Sequence, residues 1–125
     1  MTGTRRSIVG RSVRWDEERA RSAYAQGHWV RATLADALAR TAADAPERVL
    51  VIDGEVRLNA RELQQSATAL AQVLAQRFPQ GSVISFMLPN WHEAAVIYLA
   101  TTLAGMVAHP VLPSMREYDL RFMLQ

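Results

Sequence analysis

The sequence predicts an α/β fold, a short hairpin plus parallel strands joined by crossover helices. Three observations predict it. Val83–Leu88 and Met106–Val111 are short apolar runs bounded by Gly and Pro, the pattern of buried strands. Trp91 to about Ala104, between them, has the length and composition of a crossover helix. Ahead of these, Val49–Ile52, Asp53-Gly54 and Glu55–Leu58 read as strand, tight turn and returning strand.

The elements follow in order. Residues 1–14 carry no apolar period and are expected to form an arm without regular structure. From about Trp15 to Ala25 a short helix is predicted, with Asp16, Glu17 and Glu18 at its positive N-terminal end and Gly27 as its stop. Thr33-Leu34-Ala35-Asp36 has the form of a capping box with Asp in place of Glu. Leu34, Ala37, Leu38 and Ala42 then recur at helical spacing until Pro46. Asp53-Gly54 is expected to supply both central residues of the hairpin turn, which need positive φ. Asn59 with Glu62 forms a second capping box, and Leu63, Ala67, Leu70, Ala71 and Leu74 line one face of the helix that follows, to about Arg77. Gly81 breaks it. Asn90 is the expected cap of the crossover helix, which is apolar on nearly all sides and should be enclosed by other structure. Pro113 closes the last strand, and Ser114 is the expected cap of a helix over Met115–Met123. The pattern is still amphipathic and helical at Gln125, so the sequence reads as a truncated domain.

Composition excludes several chemistries. All 14 basic residues are Arg, which accounts for a pI near 9.7 on a net charge of +2. A Schiff-base or phosphate-clamping Lys is therefore excluded from this chain. Thiolate catalysis, disulfides and Cys-ligated metals are excluded because there is no Cys. The charge is uneven. Residues 1–31 hold seven Arg against Asp16, Glu17 and Glu18, whereas residues 32–125 hold seven Arg against nine acids. A basic arm of this kind suits nucleic acid or anionic lipid, but the plainer reading is a solvated leader, and no nucleic-acid partner is expected. Arg5 and Arg6 are not followed by an apolar secretory core, so a cytoplasmic location is expected. Ala94–Met115 holds no charged residue, yet Gly105, His109, Pro110 and Pro113 interrupt it, and a buried helix running into a strand is preferred to a membrane span.

No catalytic constellation stands out. His28, His92 and His109 lack metal-ligand spacing and read as structural, hydrogen-bonded histidines. There is no G-x-S-x-G elbow, no Walker loop and no G-x-G-x-x-G, and the six Gly are scattered singly. Glu17 with Glu18, and Glu117 with Asp119, read as solvated carboxylates.

Several segments taken together resemble a known family. Asp53-Gly54, Leu58 and Arg61-Glu62-Leu63 resemble the early L-T-Y-x-E-L signature of adenylate-forming enzymes, with Asn59 and Ala60 in place of Thr and Tyr. Val83-Ile84-Ser85-Phe86-Met87-Leu88-Pro89-Asn90-Trp91-His92-Glu93-Ala94 is similar to the V-S-x-x-L-P-N-W-x-E-A segment of acyl-CoA ligases. Gly105, Val107, Pro110, Pro113 and Arg116, followed by Leu120-Arg121-Phe122-Met123-Leu124, resemble the next block, and Tyr24, Gly27 and Trp29 resemble the lead-in. The resemblance implies an N-terminal fragment of an AMP-dependent acyl-CoA synthetase, in look nearest to cyclohexanecarboxylate and medium-chain acid CoA ligases. Residues 1–32 would then be a basic arm with a short helix, and residues 33–125 an incomplete N-terminal portion of the AMP-binding (adenylation) domain. Such enzymes join a carboxylate to the α-phosphate of ATP with loss of pyrophosphate, and CoA thiol then displaces AMP.

The resemblance implies ATP, Mg²⁺ and CoA for the parent enzyme, no cofactor in this chain, and no catalytic or metal-binding residue in it. Leu112, Pro113 and Ser114 correspond to a loop near the CoA nucleotide, while the residues themselves read as a proline-stiffened turn. The implied partners are the remainder of the ligase chain, a carboxylic acid and, in an assembled enzyme, a second copy. Two alternatives stay open: a free-standing α/β interaction module and a non-functional remnant.

Overall fold

A computed structural model of the chain describes residues 4–8 and 10–124. They form two compact units, Met1–Ala32 and Thr33–Gln125.

In the first unit, strands β1 (Thr4–Ile8) and β2 (Arg11–Trp15) pair antiparallel, with Thr4 opposite Trp15 and Arg6 opposite Val13. The sequence reading expected no regular structure here. The hairpin forms without an alternating apolar pattern because its support is aromatic and cationic: the Arg6 guanidinium lies 5.1 Å from the Trp15 ring centre, on the diagonal of the register. Helix α1 (Glu17–Ala25) starts at Asp16, whose side chain accepts from Arg19 N at 3.0 Å. It ends in a Schellman arrangement, with His28 N donating to Ala23 O and Gly27 N to Tyr24 O.

The second unit opens with α2 (Leu34–Asp44), on the expected capping box: Asp36 N donates to Thr33 Oγ1 and Thr33 N to the Asp36 carboxylate. Those bonds hold the Asp36 carboxyl below its ordinary range. Strands β3 (Val49–Asp53) and β4 (Val56–Asn59) form the hairpin, with Asp53 opposite Val56. The turn is therefore one residue later than expected. Gly54 and Glu55 occupy it, Gly54 takes the positive φ of 57°, and Asp53 stays in the strand with its carboxylate free of the turn.

Helix α3 (Ala60–Arg77) is capped by Asn59 and Glu62, each accepting at 2.9 Å from the other's backbone N–H. Further first-turn donors reach carbonyls of the segment just before β3: Ala60 N bonds Arg48 O and Arg61 N bonds Pro46 O. An Arg61–Glu47 ion pair ties the same corner.

Strand β5 (Val83–Met87), helix α4 (His92–Leu103) and strand β6 (Val107–Val111) make the crossover, with β5 and β6 parallel and Ser85 beside His109. Gly105 ends α4 at φ 65°, and Gly105 N and Met106 N bond Thr102 O and Thr101 O. A short α5 (Glu117–Met123) follows.

The core is a seam of small residues. Ala60, Leu63, Ala67 and Ala71 bury one stripe of α3, and Ala100 and Thr101 bury the facing part of α4. Short side chains let the two helices approach closely, and Thr101 satisfies its hydroxyl on Ile97 O at 2.7 Å. Leu38, Met106 and Val111 complete the core. Among the described residues the largest fully buried side chain is only Thr101, while Ile52, Val83, Trp91, Tyr98, Leu103 and Phe122 are exposed. Helix α4 is thus covered on one side and open on the other, against the expectation of full enclosure. Its sheet has only two strands, and a two-stranded parallel sheet cannot shield both flanks of a crossover helix. No helix among the described residues is long and apolar enough to cross a membrane.

Candidate functional site

In parallel α/β sheets, ligands gather outside the carboxyl ends of the strands. Here Met87 and Val111 lie opposite each other in the β5–β6 register, so the segments after the two strands leave side by side. After β5, Trp91 N turns back onto Pro89 O at 2.7 Å, and Trp91 stays half exposed. After β6, Met115 N donates to Leu112 O at 3.0 Å, which closes a turn with Pro113 and Ser114 in its centre. Leu112, Pro113 and Ser114 are all exposed at this rim. Pro113 fixes the chain direction, and the Ser114 hydroxyl is a donor and acceptor. Ser114 does not cap the last helix. Helix α5 begins only at Glu117, where the Asp119 carboxylate accepts from Arg116 N. The proline turn consumes the residues that an earlier start would need.

Beside this rim lies a cluster that sequence reasoning missed. One oxygen of Asp53 accepts from both His92 N and His92 Nδ1 at 2.9 Å, and a Glu93 oxygen lies 3.2 Å from the same ring nitrogen. Since ionised carboxylates only accept, this network makes Nδ1 the protonated nitrogen. The hydrogen bonds from His92, first the ring and then the backbone, hold the Asp53 carboxyl below its ordinary value. Asp53 therefore does for α4 what Asn90 was expected to do. The actual N-cap residue, Trp91, has no side chain to accept the bond. A hairpin 39 residues earlier supplies the acceptor and so fixes where α4 starts. The Asp-Gly turn was the only local signal, and it pointed to a different role for Asp53.

The other histidines are simpler. His109 is half-buried, with Nδ1 3.0 Å from the Ser85 hydroxyl across the parallel pair, and His28 lies 3.1 Å from Gln26 Oε1. No carboxylate bonds His109 among the described residues, so the Ser85–His109 pair lacks the orienting acid of a nucleophilic triad.

Asp53, His92 and Glu93 are the group among the described residues whose ligand atoms lie close enough for a metal. They do not fit Mg²⁺. The ring nitrogen is already the donor to carboxylate, the inner Asp53 oxygen carries two hydrogen bonds, and Mg²⁺ prefers an octahedral set of oxygens. Nor do the singly placed glycines form a cradle for a triphosphate.

A doubly capped hairpin-and-helix unit leading into a parallel β–α–β crossover is the α/β architecture found at the start of adenylate-forming enzymes. Residues 38–125 match the profile of AMP-binding enzymes, and the chain belongs to that family. It is 36% identical over 122 residues to the medium-chain fatty-acid–CoA ligase of Escherichia coli (strain K12), covering 96% of this chain and 22% of that protein. It is 38% identical over 101 residues to enterobactin synthase component E of the same organism, covering 80% of this chain and 18% of that protein. Among solved structures it superposes on apo MbtA of Mycobacterium smegmatis with a TM-score of 0.77 and 30% identity, covering 87% of this chain and 21% of that one. The chain thus spans about a fifth of the length of each.

Proposed function

We propose that this chain supplies the opening layers of an ATP-dependent acid ligase that activates a carboxylic acid as its adenylate and passes the acyl group to CoA. The observation that carries the reading is the 36% identity to a medium-chain fatty-acid–CoA ligase over 96% of this chain. The CoA acceptor and a medium-chain or alicyclic acid are favoured by that relative and by the Pro-Asn-Trp form of the rim. A siderophore-type acceptor is the second reading, favoured by the similarity to enterobactin synthase component E. In this reading residues 33–125 are the start of the adenylation domain, and residues 1–32 are a separate basic lead-in. ATP, Mg²⁺ and CoA are needs of the complete enzyme, with Leu112, Pro113 and Ser114 near the CoA nucleotide. The chain by itself is inactive.

The test is a chimera in which this chain replaces the matching stretch of the Escherichia coli medium-chain ligase. Thioester formation from octanoate or cyclohexanecarboxylate, with no ATP–pyrophosphate exchange from the 125-residue chain alone, is the expected result. A folded but inactive chimera, or exchange by the isolated chain, overturns the proposal.

A further inference from the structure

The first unit holds a cavity of roughly 410 Å³ whose wall includes Arg6, Arg21 and Arg31 together with Trp15, Tyr24 and Glu17. None of the three arginines makes an ion pair among the described residues. The one acid in the wall, Glu17, has a carboxylate oxygen held by Trp15 Nε1 at 2.6 Å. Two of the arginines are braced by aromatic rings. The Arg6 guanidinium carbon lies 5.1 Å from the Trp15 ring centre, and that of Arg31 lies 4.6 Å from Tyr24. Trp29 locks this frame, 6.2 Å from Trp15 and edge-on to Tyr24 at 5.6 Å.

A guanidinium resting on a ring has lost much of its rotational freedom, and its N–H edge remains available for a planar or tetrahedral oxyanion. The charge in the wall is unfavourable without such a guest, because three guanidinium groups share it and Glu17 is its one acid. An arm that was merely solvated would have no need to concentrate arginines around one aromatic frame.

We propose that this cavity binds a phosphate-bearing anion of the pyrophosphate or phosphomonoester class, held by Arg6, Arg21 and Arg31. The site is separate from the rim after β5 and β6 and does not depend on the ligase reading. Arg rather than Lys suits it, because the forked donors pair with two phosphate oxygens at once. The phosphate is presented either free in solution or on a lipid headgroup, and both sources share this chemistry.

The test uses the whole 125-residue chain, tryptophan fluorescence and calorimetry, with two probes: inorganic pyrophosphate, and phosphatidylcholine vesicles containing phosphatidic acid. The expected result is saturable binding of at least one probe, weakened about tenfold by Arg6→Gln and by Arg31→Gln and unchanged by Arg57→Gln on β4. Saturation by pyrophosphate assigns a free ligand, and saturation by vesicles alone assigns a headgroup. If Arg6→Gln or Arg31→Gln loosens the aromatic frame, seen in the near-ultraviolet dichroism, Arg21→Gln carries the test, since Arg21 has no ring contact among the described residues. Binding of neither probe, a response reproduced by sodium chloride at equal ionic strength, or wild-type affinity in the arginine variants overturns the proposal.

Discussion

Replacing Leu63 by Ala should strongly destabilise the second unit, while replacing the larger Phe122 by Ala should leave it nearly untouched. Leu63 is 3% exposed in the α3–α4 seam, so almost its whole side chain leaves water on folding. The lost carbons, at ~0.8 kcal/mol per methylene, amount to about 2.5 kcal/mol. The cavity left between two helices packed through alanines, which have little side chain with which to fill it, moves the cost toward the upper part of the roughly 2–5 kcal/mol range. For a unit of roughly 90 residues each kcal/mol corresponds to about 4–8 °C in Tm, so a fall of at least ~10 °C is expected. Phe122 is 83% exposed on α5, and its replacement should cost less than ~0.5 kcal/mol in this chain. Urea and thermal melts followed by far-ultraviolet dichroism measure both. A Leu63→Ala change below ~1 kcal/mol, or a Phe122→Ala change above it, would refute the reasoning, because the seam would then not be the core or α5 would be packed.

Three further outcomes follow from particular contacts. The His92 hydrogen bonds lower the Asp53 carboxyl below its ordinary 3.8, so its stabilisation is full above that value and disappears as pH falls through the lower folded-state value. Asp53→Asn should thus narrow its Tm gap to the wild type as acid is added, and a gap constant with pH counts against the Asp53–His92 link. Gly105→Ala places a Cβ at φ 65° and 2.8 Å from Gln80 Nε2; Gln80 can move aside, but the backbone strain should cost about 1–2 kcal/mol in a urea titration. No loss there means that the α4 terminus relaxes freely. Within the ligase chimera, Ser114→Trp should raise KM for CoA severalfold and leave ATP–pyrophosphate exchange unchanged; an equal effect on both removes the Leu112–Ser114 loop from the CoA path.

Much of the second unit was legible from residue order because its signals are local. Thr33 with Asp36 and Asn59 with Glu62 cap their own helices, and Gly105 ends α4 through bonds that span one turn. The parallel pairing of β5 and β6 follows from an apolar crossover of helical length between two apolar runs. The errors share one character. Asn90 and Ser114 have good capping side chains, yet Trp91 and Arg116 take the cap positions, since a proline turn and a distant carboxylate decide where α4 and α5 begin. The β1–β2 hairpin escaped notice because cation–π contacts to Trp15 leave no alternating apolar pattern in the sequence.

The sequence by itself determined the order of elements from Thr33 onward, the capping boxes of α2 and α3, the family and the chemistries that a chain without Cys or Lys cannot perform. Tertiary structure alone decided that Asp53 reaches His92, that the three cavity arginines share one wall, and that α4 and the β5–β6 pair are left with an open apolar side. The physical reason is range. Capping and turn chemistry act within a few residues and are written into adjacent letters, whereas a hydrogen bond across 39 positions, or a helix face left uncovered, depends on where the intervening chain has carried its two ends.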